Sequence, residues 1–243
     1  MRERPILLNA EMVRAVLDGR KTQTRRIMKV QPESSAYGLS FITESFKNRD
    51  TGKYFWSQSD GCGINKPRSK RFSCPFGAVD DRLWVRETFN GFWLDDDVIQ
   101  EIKEGISKAS ELCSYRADYP DGSEAFEGWT PSIHMPRWAS RITLEITGVR
   151  VERLNNISES DAIAEGLAEI SKDGHTYKYG VPDRDGYPGT DDFGWPWHEW
   201  ERYPISAYSK LWKSIYGEES WQDNPFVWVI EFKRVDNTTD KAG

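Results

Sequence analysis

The stretch GRKTQTRR at residues 19–26 connects a predicted helix to a predicted strand. Before it, Asn9 is a suitable N-cap and apolar residues recur at helical spacing, which predicts a helix over residues 10–18 that Gly19 ends. Five cations and no acidic residue occupy positions 20–29, although the whole chain has a formal net charge of −6. This charge contrast makes the stretch the first candidate for a functional site.

Lys21 and Thr24 are the residues of this stretch whose side chains suit ligand binding or catalysis. A cation and a hydroxyl just past a helix either hold a phosphate group or perform nucleophilic catalysis. A threonine hydroxyl is a weak nucleophile until a base takes its proton, and a lysine is such a base only when burial and nearby cations lower its pKa. Regular strand geometry would place the two side chains on opposite faces, so a shared site requires a turn or bulge at residues 21–23. The other interpretation is a solvated basic turn.

Composition narrows the class of protein. The chain has 243 residues, 13% of them aromatic, and is long enough to bury a full core. It has no apolar run that could span a membrane and no secretory signal, which predicts a cytoplasmic location and no membrane partner. Three cysteines without a CxxC pair predict no disulfide framework. A zinc site on Cys62 and Cys74 with a distant histidine is the alternative, but their spacing fits none of the usual structural sites, so no metal is predicted.

Short strands and short helices follow each other irregularly along the rest of the chain. Strands are predicted at residues 5–8, 82–88, 141–151 and 226–232, and helices at residues 95–112, 158–165 and 205–215. Ser158 and Gly166 bound a two-turn helix that places Glu165 at its end. The pattern favours one α+β domain over residues 1–235 on a mixed or antiparallel sheet, with loop insertions at about 31–80, 90–137 and 168–203 and a polar tail at 236–243.

The stretch at residues 19–26, placed after a short helix, resembles the signature of the ASCH domain family, whose fold is similar to the RNA-binding PUA domain. The likeness continues at residues 81–85, 154–167 and 229–233. It implies a PUA-like mixed β-barrel flanked by short helices, with three insertions that the smallest members lack. Larger members with similar insertions are familiar from bacteriophages and prophages, so the resemblance also implies a phage origin.

The resemblance implies an activity as well. A small bacterial member of the family is an amidohydrolase that removes the acetyl group from N4-acetylcytidine with a lysine, a threonine and a glutamate. Those residues correspond to Lys21 as base, Thr24 as nucleophile and Glu165 as proton donor. Many family members carry a glutamate where this chain has Thr24, and that departure favours the hydrolase subgroup. The implied substrate is a small N4-acylated cytosine or cytidine, and the scheme needs no cofactor or metal.

Other residues are candidates for binding this substrate. Arg26 and backbone amides near Thr24 are candidates to stabilise an oxyanion. Trp84, Arg86 and Trp138 are candidates to stack on a pyrimidine, although any one tryptophan is more often part of a core. The tryptophan-rich cluster at residues 195–200 either covers the pocket or anchors its insertion, and we favour the anchor.

Two alternatives belong to other functional classes. One is a PUA-like RNA-binding module without chemistry, and the other is an RNA-cleaving enzyme, an activity also associated with some ASCH proteins. Nucleic-acid binders usually have a basic surface, whereas here the basic residues concentrate at 20–29 and 66–71 of an acidic chain. The sequence therefore favours the small-molecule hydrolase, with RNA as the other partner and no obligate protein partner.

Overall fold

The computed structural model describes residues 1–44, 50–58, 68–120, 123–183, 186–189 and 194–235. Its strands are β1 (Glu3–Leu7), β2 (Gln23–Ile27), β3 (Tyr37–Phe41), β4 (Tyr54–Gln58), β5 (Arg82–Arg86), β6 (Phe89–Asn90), β7 (Ser114–Tyr115), β8 (Thr143–Arg153), β9 (Ala168–Ser171), β10 (Tyr177–Gly180) and β11 (Phe226–Val235). Its α-helices are α1 (Ala10–Leu17), α2 (Asp96–Glu104), α3 (Ala109–Leu112), α4 (Glu159–Ala164), α5 (Pro204–Tyr216) and α6 (Glu219–Gln222).

A mixed five-stranded sheet organises the molecule, with strand order β1-β5-β8-β11-β2. β1 runs parallel to β5, and the other pairs are antiparallel. Alternate residues of β11 enter two hydrophobic clusters: Trp228 and Ile230 pack in the one that includes α1, and Val227 and Val229 in the one that includes α4 and α5. The predicted α+β class is confirmed, and β2 is held at the sheet edge between these two packed layers.

The predicted closed barrel is not present in the described residues. β1 and β2 are the edges of an open sheet. A side chain links these edges, because Arg26 Nη2 on β2 donates a hydrogen bond to the Leu7 carbonyl on β1 at 2.6 Å. The edges therefore meet through a guanidinium group and not through paired backbone groups.

The first insertion contains a β-hairpin where the sequence predicted loop. β3 pairs with β4, and Trp56 of this hairpin is buried in the core. The rings of Tyr54 and Phe72 lie 5.1 and 6.2 Å from the ring of Trp228. Packing on the sheet stabilises this hairpin, and that contribution cannot be read from local periodicity.

Trp200 is buried and packs within the third insertion. A side chain on Gly180 would place its Cβ 2.6 Å from the Trp200 ring, so the ring packs directly on the β10 backbone. Trp200 Nε1 also donates to the Trp195 carbonyl at 2.7 Å. These contacts lie within the insertion. Lys210 of α5 pairs with Glu199 at 2.7 Å and lies 4.5 Å from the Trp195 ring centre, and these contacts to the rest of the chain fit the anchor interpretation of the cluster at residues 195–200.

Cys62 and the tail at 236–243 lie outside the described residues. In the described ranges, no helix is both long and apolar enough to cross a membrane. The same ranges contain no group of three or more side chains suited to hold a metal ion.

Candidate active site

Backbone hydrogen bonds place Lys21 beside Glu165. After α1 ends, the Lys21 amide donates to the Ala15 carbonyl at 2.9 Å, and the Thr22 amide donates to the Ala164 carbonyl at 2.9 Å. Lys21 and Glu165 form an isolated antiparallel bridge just before β2 begins. Lys21 is therefore paired with the end of α4 and not with a strand of the five-stranded sheet.

Helix α4 presents Glu165 at its carboxyl end. Ser158 caps the helix by accepting a hydrogen bond from the Asp161 amide at 3.1 Å, and Glu165 is the C-cap. Gly166 follows with a φ of +110°. A Cβ there would lie 2.9 Å from Ala15 Cβ and 3.2 Å from Lys21 Cβ, so only glycine lets the helix end approach Lys21 this closely.

Lys21 and Glu165 form a buried hydrogen-bonded pair. The Lys21 Nζ donates to Glu165 Oε2 at 2.8 Å and to the Glu165 carbonyl at 2.8 Å. The two side chains are 1% and 4% exposed. Burial lowers the pKa of the Lys21 amine; Glu165 opposes this shift, whereas Arg26 and Arg25 add to it. The amine is therefore closer to neutrality than a solvated lysine.

Thr24 faces the same cavity as this pair. The cavity is lined by Lys21, Thr24 and Glu165, together with Arg25, Arg26, Met12 and one face of α5. Its free space is about 10 Å³, which is room for about one water molecule. Within the described residues, no hydrogen bond joins the Thr24 hydroxyl to Lys21 or Glu165. The three residues thus share a cavity that must open before it can admit an acyl group.

A larger cleft lies next to this inner cavity. It has a volume of about 240 Å³ and is lined by α1, by Ala117 and Asp118 of the second insertion, and by residues 181–183 of the third. Met12, Glu165 and Leu211 line both the cleft and the inner cavity. We call this larger space the outer cleft, and it is the natural route from solvent to the Lys21–Glu165 pair.

The cations of the stretch at residues 19–26 are bonded within the protein. Arg20 donates to the Gly166 carbonyl at 2.6 Å and pairs with Asp18 at 2.7 Å. Arg26 Nη1 donates to the Tyr216 hydroxyl at 3.2 Å, in addition to its bond to β1. These contacts do not resemble a solvated phosphate-binding patch.

Three of the predicted substrate-binding residues lie outside both cavities. The Arg86 and Arg137 guanidinium carbons lie 5.5 and 5.9 Å from the centre of a Trp84 ring. Trp138 packs edge-on against Phe89, with 6.4 Å between the ring centres. Of the four binding candidates only Arg26 lines the inner cavity, so the structure does not bring the other three to the Lys21–Glu165 pair.

Sequence reasoning missed Arg25 as a member of the site. Its side chain is fully buried, and its Nη1 donates to Glu165 Oε1 at 3.2 Å. Its Nη2 donates to Asp161 Oδ2 at 2.9 Å and to Glu152 Oε2 at 3.1 Å. Net attraction to carboxylates, against the opposing effect of burial, raises the pKa of this guanidinium. The only sequence signal was its place in the cationic stretch, because its partners are more than a hundred residues away in the chain.

Comparisons with protein-family models, with curated proteins and with solved structures found no match to this chain.

Proposed function

We propose that this chain is a PUA-like ASCH protein that hydrolyses the amide bond of N4-acylated cytosine or cytidine. The observation that carries the proposal is the buried Lys21–Glu165 pair, hydrogen-bonded at 2.8 Å, on a cavity that Thr24 also lines. A lysine, a threonine and a glutamate are the residue types that the ASCH resemblance implies for this reaction. Their convergence supports the proposal because they come from distant parts of the chain.

The proposed reaction needs Lys21 as a neutral amine and Glu165 as a carboxylic acid. Moving one proton from Lys21 Nζ to Glu165 Oε2 along their hydrogen bond produces a neutral amine and a carboxylic acid. The lowered pKa of Lys21 favours this transfer, since a buried amine loses the hydration that stabilises its charge. The neutral amine is the base for Thr24, and the carboxylic acid is the proton donor for the leaving group.

The first half of the reaction forms an acyl-enzyme. Lys21 takes the hydroxyl proton of Thr24, and Thr24 Oγ attacks the acyl carbonyl carbon of the substrate. The tetrahedral intermediate then breaks its C–N bond as Glu165 gives its proton to the departing N4 amine. Cytosine or cytidine leaves, and the pair is now an ammonium and a carboxylate.

The second half returns the site to its starting state. A water molecule gives a proton to the Glu165 carboxylate and attacks the carbonyl carbon of the acyl-threonine. As the ester bond breaks, Lys21 returns its proton to Thr24 Oγ. The products are the free carboxylic acid and a pair that again holds one transferable proton.

The internal contacts of Arg20, Arg25 and Arg26 favour this function over RNA binding. An RNA-binding surface keeps its cations available to phosphate groups. Here the guanidinium groups of all three arginines are bonded to protein oxygen atoms, and the outer cleft has more carboxylates than cations among its lining residues.

The test is hydrolysis of N4-acetylcytidine and N4-acetylcytosine, followed by ultraviolet absorbance. We expect the wild type to turn over at least one of them, and Thr24→Ala to lower kcat on the order of a thousandfold or more, because the nucleophile is lost. Thr22→Ala is the matched control, since it removes an exposed hydroxyl from the same stretch. Full activity of Thr24→Ala would contradict a threonine nucleophile. A wild type without turnover would reject the function and leave RNA binding, measured at two salt concentrations, as the alternative.

A further inference from the structure

Arg25 has one donor that its carboxylate partners do not use. Both of its Nη atoms are bonded, to Glu165, Asp161 and Glu152. Its Nε atom is buried and has no hydrogen-bond partner within the described part of the chain. Folded proteins rarely leave a buried N–H without an acceptor. Arg86 Nε is in the same state, but of these two arginines only Arg25 lines the inner cavity, and its donor there calls for an explanation.

The surroundings of this Nε–H suit a developing negative charge. Arg25 is adjacent to Thr24 in β2, and both residues line the inner cavity. The guanidinium is charged and is held in place by three carboxylates, so it does not need to reorganise when a substrate binds. A fixed, water-excluded donor of this kind is what stabilises the oxyanion of a tetrahedral intermediate.

Arg26 is less suited to the same task because it is only partly buried, whereas the Arg25 side chain is fully buried. Its two Nη atoms donate to the Tyr216 hydroxyl and to the Leu7 carbonyl. These bonds hold Arg26 across the edges of the sheet. Arg25 instead combines full burial, a fixed position and an unused donor on the cavity.

We propose that the Arg25 Nε–H donates a hydrogen bond to the acyl oxygen of the substrate when Thr24 Oγ attacks the carbonyl carbon. The carbonyl π electrons move onto that oxygen as the new C–O bond forms, and they return when the C–N bond breaks. This inference rests on the proposed hydrolase function and adds Arg25 to it as a catalytic residue.

The kinetic test compares Arg25→Lys with the wild type. Lysine keeps a positive charge among the carboxylates but has no Nε–H, so we expect kcat to fall about a hundredfold to a thousandfold. KM should change less than about threefold, and the shape of the pH–rate profile should stay the same, because Lys21 and Glu165 remain. Arg141→Lys is the matched control: Arg141 is a second largely buried arginine, bonded to Glu87 and Asp118, and it lines neither cavity. Its kcat should stay within about threefold of the wild type.

A second measurement uses the wild-type protein. In ¹⁵N-labelled wild type, the Arg25 Nε–H signal is assigned by its position among arginine side-chain signals and by its proximity to Thr24. Sodium acetate, a product whose carboxylate resembles the oxyanion, should move this signal downfield in a saturable way, and sodium chloride at equal ionic strength should not. An Nε–H signal that acetate leaves unchanged would overturn the inference even if Arg25→Lys fails to fold.

The outcomes distinguish the role of Arg25 from the hydrolase function. Wild-type turnover with a kcat for Arg25→Lys within threefold of normal would overturn the role of Arg25 and leave the hydrolase standing. Absence of wild-type turnover would overturn the hydrolase and this inference with it.

Discussion

Gly166 sets how closely α4 can approach Lys21. Its φ of +110° is strained for any other residue, and a Cβ would contact Ala15 and Lys21 at 2.9 and 3.2 Å. We expect Gly166→Ala to lower the free energy of unfolding by about 2–4 kcal/mol, from backbone strain plus crowding. It should also lower kcat, because the Lys21–Glu165 hydrogen bond must lengthen. Urea unfolding and steady-state kinetics measure the two effects.

Gly105 provides the matched control for this substitution. It also has a positive φ, +73°, but a Cβ there would meet nothing within 4 Å. Gly105→Ala should therefore lower the free energy of unfolding by the backbone strain alone, about 1 kcal/mol, and leave kcat unchanged. Equal losses of stability for the two variants would show that crowding at Lys21 is absent.

Burial of Lys21 also predicts how stability depends on pH. The folded-state pKa of Lys21 is below its ordinary value of 10.5. Between those two values the unfolded chain binds more protons, so the free energy of unfolding rises with pH, by at most about 1.4 kcal/mol per pH unit for this one group. The contribution stops changing above 10.5, where both states are deprotonated.

Lys21→Met removes this contribution, and Glu165 keeps its bond to Arg25 in the variant. Urea unfolding at pH 7, 8, 9 and 10 should show the wild type gaining stability relative to Lys21→Met as the pH rises. The opposite slope would mean that attraction to Glu165 outweighs the loss of hydration and that the Lys21 pKa is raised.

Helix α1 lies between the inner cavity and the outer cleft. Its residue Met12 lines both spaces, and its flexible thioether side chain can adopt other rotamers at little cost. We expect Met12→Ala to join the two spaces. Larger acyl groups should then be accepted, and kcat/KM for N4-benzoylcytidine relative to N4-acetylcytidine should rise about tenfold or more.

Leu17→Ala is the control for this prediction. Leu17 also lies on α1 and is partly buried, but it lines only the outer cleft. In Leu17→Ala, the kcat/KM for N4-benzoylcytidine relative to N4-acetylcytidine should stay near that of the wild type. A ratio that rises equally in both variants would show that general loosening of α1, and not the position of Met12, controls access.

Local signals in the sequence predicted the helices and strands better than they predicted the site. Ser158 and Gly166 correctly bounded α4, and the apolar spacing correctly predicted α5. The β3–β4 hairpin was missed because its stability comes from packing on Trp228. The Lys21–Glu165 bond spans 144 residues, so no local pattern encodes it, and only the family resemblance placed the two residues in one site.

The outer cleft carries an excess of negative charge, to which the second and third insertions contribute Asp118 and Asp183. Its lining carries the carboxylates of Glu11, Asp18, Asp118, Glu165 and Asp183. Lys21 and Arg141 form ion pairs with Glu165 and Asp118, so three carboxylates remain against the two guanidinium groups of the lining, Arg14 and Arg20. This excess of negative charge repels a phosphate group, and salt screens the repulsion. We expect N4-acetylcytidine to be hydrolysed with a kcat/KM on the order of tenfold above that of its 5′-monophosphate at low ionic strength, and the ratio should shrink as salt is added.

Two double variants of equal charge change show whether the cleft is the source of this selectivity. Asp118→Asn with Asp183→Asn removes carboxylates that the second and third insertions contribute to the cleft, and it should reduce the discrimination severalfold. Asp96→Asn with Asp97→Asn removes two exposed charges at the start of α2, outside the cleft, and should leave it unchanged. Equal effects of the two pairs would assign the selectivity to net charge. A phosphorylated substrate preferred at every salt concentration would contradict the electrostatic argument and favour a nucleotide or RNA as the natural substrate.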